Sequence, residues 1–195
     1  MVKRNTFLLA MSWLLLIMNS PVIADASLPD SVQNSAVESA DSVDWQMRSQ
    51  ATATWMWLDI YKATLFTQSG VNASNLLRDD EPLKLQLCYL KPIGRDNLIK
   101  GAEAVLDEKL AADLKESVDA LHTNYVDVKP GDCYVLEYAP QTGTQLKLND
   151  QLAFSSNQKG FKAVYFGIWL GQNPLSDKLK ETLLTPIQKN AEPLS

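Results

Sequence analysis

FKAVYFGIWLGQNPLSDKLKETLL, running from Phe161 to Leu184, decides the fold class of this 195-residue chain. Phe161, Val164, Tyr165, Ile168 and Trp169 recur at i, i+3, i+4, i+7 and i+8, the stripe of a helix packed on a core. Phe166 and Leu170 add a second apolar face, and Ala163 and Gly167 are small enough for close approach, so this helix should be covered on several sides. Gly171 stands where a left-handed C-terminal cap is wanted, and Pro174 blocks continuation. Ser176 suits the N-cap of a second helix and Asp177 suits its positive end, with Leu179, Leu183 and Leu184 as its inner edge. Pro186 is expected to end it.

Working back towards the N-terminus, the pattern changes period. Three short strands are expected at about 133–139, 144–149 and 151–155, joined at Gln141 to Gly143 and at Asn149-Asp150. Lys129-Pro130-Gly131-Asp132 ahead of them has Pro and Gly placed as a type II turn requires. Before that turn, Asp96 can cap a helix with Leu98, Ile99, Ala102, Val105 and Leu106 inside, and Leu110, Leu114, Val118 and Leu121 form a second stripe. One bent helix and two short helices fit equally. A strand is expected from about Leu83 to Leu90, behind a polar loop from Gln68 to Pro82. The segment from Trp45 to Phe66, with ATATWMWLDIYKATLF at its centre, fits one or two strands. Strands, helices, a strand meander and helices again make an α+β domain over 45–188, with helices packed on one face of a mostly antiparallel sheet. Residues 189–195 are left as a tail.

Lys3 and Arg4 precede an apolar run, Phe7 to Met18, that is too short for an ordinary membrane span. Ala24 and Ala26 each end a small-residue cleavage site, so residues 1–26 are expected to be a secretory signal peptide. An uncleaved N-terminal anchor is the alternative. Residues 27–44, rich in Ser and Asp, read as a flexible polar leader. The net charge is −5, and losing Lys3, Arg4 and Asp25 makes it one unit more negative. Such an acidic protein without a basic run is a poor partner for nucleic acid or an anionic membrane. Export, to a periplasm in a Gram-negative host, with no membrane association after cleavage, is the expectation.

Cys88 and Cys133 are the only cysteines, so a lipoprotein anchor is excluded. Each lies on the more polar face of its expected strand. A cross-strand disulfide can form if those strands are neighbours and the narrow geometric limits are met, and two reduced thiols that never meet are the alternative. His122 is the single histidine and sits just past a helical stripe, a poor place for nucleophilic catalysis. Asp79, Asp80 and Glu81 read as a solvated turn before they read as a calcium site. No metal cluster, phosphate loop or dinucleotide fingerprint appears, and no cofactor is expected. Trp45, Trp55, Trp57 and Tyr61 are concentrated in one segment, as core packing or as the lining of an apolar pocket. On an unbroken strand Arg48, Gln50, Thr52, Thr54 and Met56 share one face, where an Arg and a hydroxyl can anchor an anionic or phenolic ligand.

IYKATLF (Ile60 to Phe66), LQLCYL (Leu85 to Leu90), VDVKPGD (Val126 to Asp132), VLEYAP followed by GT, YFGIWL and LSDKLKETLL occur in an order and spacing that resembles the chalcone isomerase-like proteins of bacteria, the secreted branch of their superfamily. The resemblance covers about residues 45 to 186. It implies a large antiparallel sheet with helices on one side and a ligand cleft between them. In the plant enzymes of the superfamily a threonine and a tyrosine-held water polarise the ligand carbonyl, and an arginine, an asparagine and a further hydroxyl position the substrate. Aligned on the shared blocks, the threonine falls near Met56 and the later hydroxyl near Ile168, both apolar here, while Arg48 is a loose counterpart of the arginine. Losing two hydrogen-bonding positions removes the means of stabilising an enolate. The resemblance thus implies a non-catalytic protein that binds a small apolar or amphipathic ligand such as a fatty acid, near Arg48, Thr54, Met56, Tyr61 and Ile168. An isomerase or intramolecular lyase with a diverged site that uses Tyr61 is one alternative; a protein-interaction module without a small ligand is another.

Overall fold

Six strands pair in chain order, each antiparallel to the next, in a computed structural model that describes residues 43–189. They are β1 (Gln46–Trp55), β2 (Leu58–Thr67), β3 (Leu83–Tyr89), β4 (Cys133–Ala139), β5 (Gly143–Leu148) and β6 (Gln151–Ser156). Helices α1 (Arg95–Glu103) and α2 (Ala112–Thr123) interrupt the meander between β3 and β4, and α3 (Phe161–Leu170) and α4 (Asp177–Lys189) follow it. The expected signal peptide, the leader up to residue 42 and the tail from residue 190 lie outside the described residues. Among the described residues no helix is long and apolar enough to cross a membrane.

Alternation assigns the two faces of the sheet. Leu83, Leu85, Leu87 and Tyr89 of β3 are buried, as are Ala63 and Leu65 of β2, Tyr134 and Leu136 of β4 and Leu146 of β5. This inner face meets the helices: α4 lies on β1 and β2, α3 on β5, and α2 against β6 and α3. The Ser49 hydroxyl, on the inner side of β1, donates to the Leu183 carbonyl of α4 at 2.6 Å. On the outer face, Lys84 stands over the rings of Trp45 and Phe66, 4.5 and 4.9 Å from their centroids. Cys88 and Cys133 face each other across β3 and β4 and form a disulfide with Cα atoms 4.1 Å apart, the expected bridge.

Turn chemistry follows the sequence closely. Gly131 has φ +94 and the Asp132 amide donates to the Lys129 carbonyl, the bond of the expected turn. Asn149 and Asp150 both have positive φ, the two-residue link between β5 and β6.

Three expectations about the helices need correction. Pro186 lies inside α4 instead of ending it. Leu183 and Ile187 are both fully buried, so packing on either side of the proline holds the last turn in register. Gly171 is extended (φ −76, ψ −169) and not left-handed. Its lack of a side chain is needed for space, since a Cβ there would stand 2.6 Å from the Gly167 carbonyl oxygen. Of the two glycines that flank α3 it is Gly160, at its start, that is left-handed (φ +79). Asp96, expected as a cap, falls in the first turn of α1, and Gly94 takes the cap position.

Candidate functional site

Neighbouring strands put Tyr61, Tyr89 and Tyr134 on the inner face, and the helical layer adds Tyr165 and Trp169 from α3, His122 from α2 and Tyr125 just beyond it. Their rings pack edge to face or stacked, with Tyr125 and Tyr134 5.0 Å apart and Tyr61 and Tyr89 5.7 Å apart. The hydroxyls are largely engaged with one another and with the backbone. Tyr165 donates to Tyr125 at 2.9 Å, the Trp169 indole N–H donates to the Tyr61 oxygen at 3.1 Å, and the Val126 amide donates to Tyr134. Burial holds all five phenols above their usual range, so they are neutral donors and not bases at pH 7. Burial also lowers the basicity of His122, against the pull of Glu103, and its Nε2 has no partner. Among the described residues the interior between sheet and helices is therefore a packed aromatic layer in which the phenols are neutral.

An open cleft lies beside it. The β2–β3 connection carries a single 3-10 turn, Ala73–Asn75, capped by the Asn72 side chain accepting from the Ser74 amide at 3.0 Å. Ala73, Leu76 and Leu77 from this connection face Leu170 and Gly171 at the end of α3 and Leu184 of α4, around a cavity of about 410 Å³. That is within the range of small-molecule sites. Asn72, Ser74 and Gln172 supply polar groups, and among the described residues Lys180 of α4 is the only charged one in the lining. Lys180 Nζ donates to the Gly171 carbonyl at 2.6 Å, which holds the ammonium at the cleft. Apolar walls with one cation suit an acyl chain ending in a carboxylate.

The residues anticipated from sequence are dispersed. A bulge at Arg48 shifts the β1 register, so Met47 opposes Phe66 and Ser49 opposes Leu65. Ser49, Ala51 and Ala53 then face the helices opposite Leu65, Ala63 and Tyr61, Gln50 and Thr52 turn to the outer face, and a second register shift between Ala53 and Thr54 sets Thr54 opposite Asp59. Arg48 is half-buried. Thr54 is exposed and donates to the Asp59 carboxylate at 2.8 Å. Met56, 69% exposed, is in the turn between β1 and β2. Tyr61 and Ile168 are on the sheet–helix side, Ile168 fully buried. None of the five lines the 410 Å³ cleft. Sequence reasoning missed the cleft because Gln68 to Pro82 reads as a polar loop. The available signals were the Leu76-Leu77 pair inside that loop and the i, i+4 spacing of Lys180 and Leu184. Among the described residues no group of His, Cys, Asp and Glu could hold a metal ion.

Comparison with known proteins agrees with this architecture. The profile of the family described as chalcone isomerase-like matches residues 22–185. A solved structure of an Arabidopsis thaliana fatty-acid binding protein superposes with a TM-score of 0.57 at 11% identity, over 75% of this chain and 90% of that one. At that identity the likeness is one of fold. No curated protein matches.

Proposed function

The chain belongs to the chalcone isomerase-like family, and from that premise we propose that it is a non-catalytic binding protein for an amphipathic molecule with an apolar tail and an anionic head, such as a fatty acid. The observation that carries this reading is the 410 Å³ cleft, where leucines from three segments surround an open volume and Lys180 is the lone cation. The name of the structural neighbour, a fatty-acid binding protein, points the same way. The neutral, mutually bonded phenols of the interior offer no base for an isomerisation. The reading includes export, with signal cleavage after Ala24 or Ala26. Lys3 and Arg4 ahead of the apolar run support it, as does the Cys88–Cys133 bridge, a bond that persists in oxidising compartments.

Calorimetric titration of the delipidated protein with a long-chain fatty acid and with its methyl ester tests the reading. Lys180→Met keeps the apolar stem and removes the charge. It should weaken the acid about tenfold and leave the ester unchanged, the loss of one charge-assisted hydrogen bond. Equal affinity of both proteins for the acid contradicts it. One feature favours a diverged isomerase as the second reading: Tyr61 accepts from Trp169 and so keeps its own proton to donate to a ligand carbonyl. Incubation with a 2′-hydroxychalcone separates the two, and the binding reading predicts no flavanone above the uncatalysed rate.

A further inference from the structure

Four consecutive apolar side chains, Trp55, Met56, Trp57 and Leu58, are 68, 69, 77 and 41% exposed. They form the tip of the β1–β2 hairpin. Pairing of β2 with β3 ends at Tyr61 and Tyr89, with one further bond from the Leu90 amide to the Ile60 carbonyl. Residues 54–59 therefore overhang the sheet and are paired only with each other. The Thr54 hydroxyl clasps the Asp59 carboxylate at 2.8 Å across the neck, so the overhang is a braced projection. Met56 has φ +57, a conformation that tight hairpins usually give to Gly or Asn. A large side chain is thus held in the left-handed region while 69% exposed, and among the described residues no packing offsets its strain.

From this juxtaposition we propose that the hairpin tip is a lipid-surface contact, with Trp55 and Trp57 entering the boundary between headgroups and acyl chains. The shape selects the occupant. A stable protein interface takes roughly 20–30 residues a side, whereas this is a narrow convex point of four. Tryptophan combines an apolar body with an N–H that stays hydrated, the combination enriched at membrane boundaries. Charge selects the lipid. Asp59 is the only charged residue in the overhang and the whole chain carries −5, so nothing draws the tip to anionic headgroups. A zwitterionic surface such as phosphatidylcholine fits. This proposal departs from the expectation of no membrane association after cleavage, which rested on charge. The tip acts by apolar insertion, to which net charge is not a barrier on a zwitterionic surface. The proposal does not depend on the ligand cleft.

Flotation of the protein purified from its host with phosphatidylcholine vesicles is the test. The wild type should float, and Trp55→Ser/Trp57→Ser should partition at least tenfold more weakly with an unchanged unfolding midpoint, since both rings are exposed. Trp57→Glu alone, at the most exposed position, serves if the double variant does not fold. A wild type that stays at the bottom of the gradient overturns the proposal, as does a variant that floats equally well. A wild-type dimer that the double variant dissociates, without vesicle binding by either, would make the tip a self-association surface and also overturns it.

Discussion

Lys162 is 1% exposed, and its ammonium donates to the Arg78 and Glu81 carbonyls while standing 4.7 Å from the Tyr138 ring centroid. It ties the β2–β3 connection to the first turn of α3. Desolvation pulls its pKa down to about 8, against the opposing pull of Asp79, Glu81 and Asp80. The folded lysine therefore releases its proton at lower pH than the unfolded one, and above about pH 8 this site binds more protons in the unfolded chain. Stability should rise with pH from about 8 to 9, by about 1 kcal/mol, with Lys84, lowered mainly by desolvation, adding in the same direction. Above that range the unfolded chain ionises tyrosines that burial keeps protonated in the fold, and the trend reverses. Urea unfolding at a series of pH values checks this, and Lys162→Met should flatten most of the rise. His122 gives the acid limb. Burial keeps it neutral in the fold, so stability should fall as pH drops below its ordinary value of about 6.5. His122→Phe should lessen that fall in the same measurement. At Gly171 the constraint is steric. Gly171→Ala brings a methyl onto the Gly167 carbonyl and should cost about 1–3 kcal/mol in chemical denaturation.

At the scale of elements, the disulfide fastens β3 to β4 across the excursion that contains α1 and α2, a sequence separation of 45. Reduction, or Cys88→Ala with Cys133→Ala, should destabilise the protein by about 4 kcal/mol in the chain-entropy description, read as a lower denaturation midpoint. The strands of the meander were legible because their alternation and turn residues agree: β4 runs from Cys133 to Ala139, and Asn149-Asp150 makes the next turn. The first strand was less so. Nothing in QMRSQATATW marks the bulge at Arg48, yet that one residue decides which parity meets the helices. A second shift, between Ala53 and Thr54, breaks the single face expected for Arg48 to Met56, and composition does not encode either shift. Pro186 shows the opposite limit, a strong local breaker overridden by the burial of Leu183 and Ile187.

For the whole molecule, the helical stripe of Phe161 to Trp169 and the run of short strands were enough to reach a sheet with helices on one face. That arrangement places α4 across β1 and β2 and leaves the cleft where the end of α3 meets the β2–β3 connection. The cleft was not legible, because it joins Leu76 to Leu170 and Lys180, residues that only the completed fold brings together. Native mass spectrometry of the host-purified protein, before and after addition of a long-chain fatty acid, tests the central claim most directly. The account predicts one fatty acid per chain, and loss of that adduct when Leu77→Trp fills the cleft without shifting the unfolding midpoint. An unmodified mass at saturating fatty acid, or an adduct that survives Leu77→Trp, would contradict it.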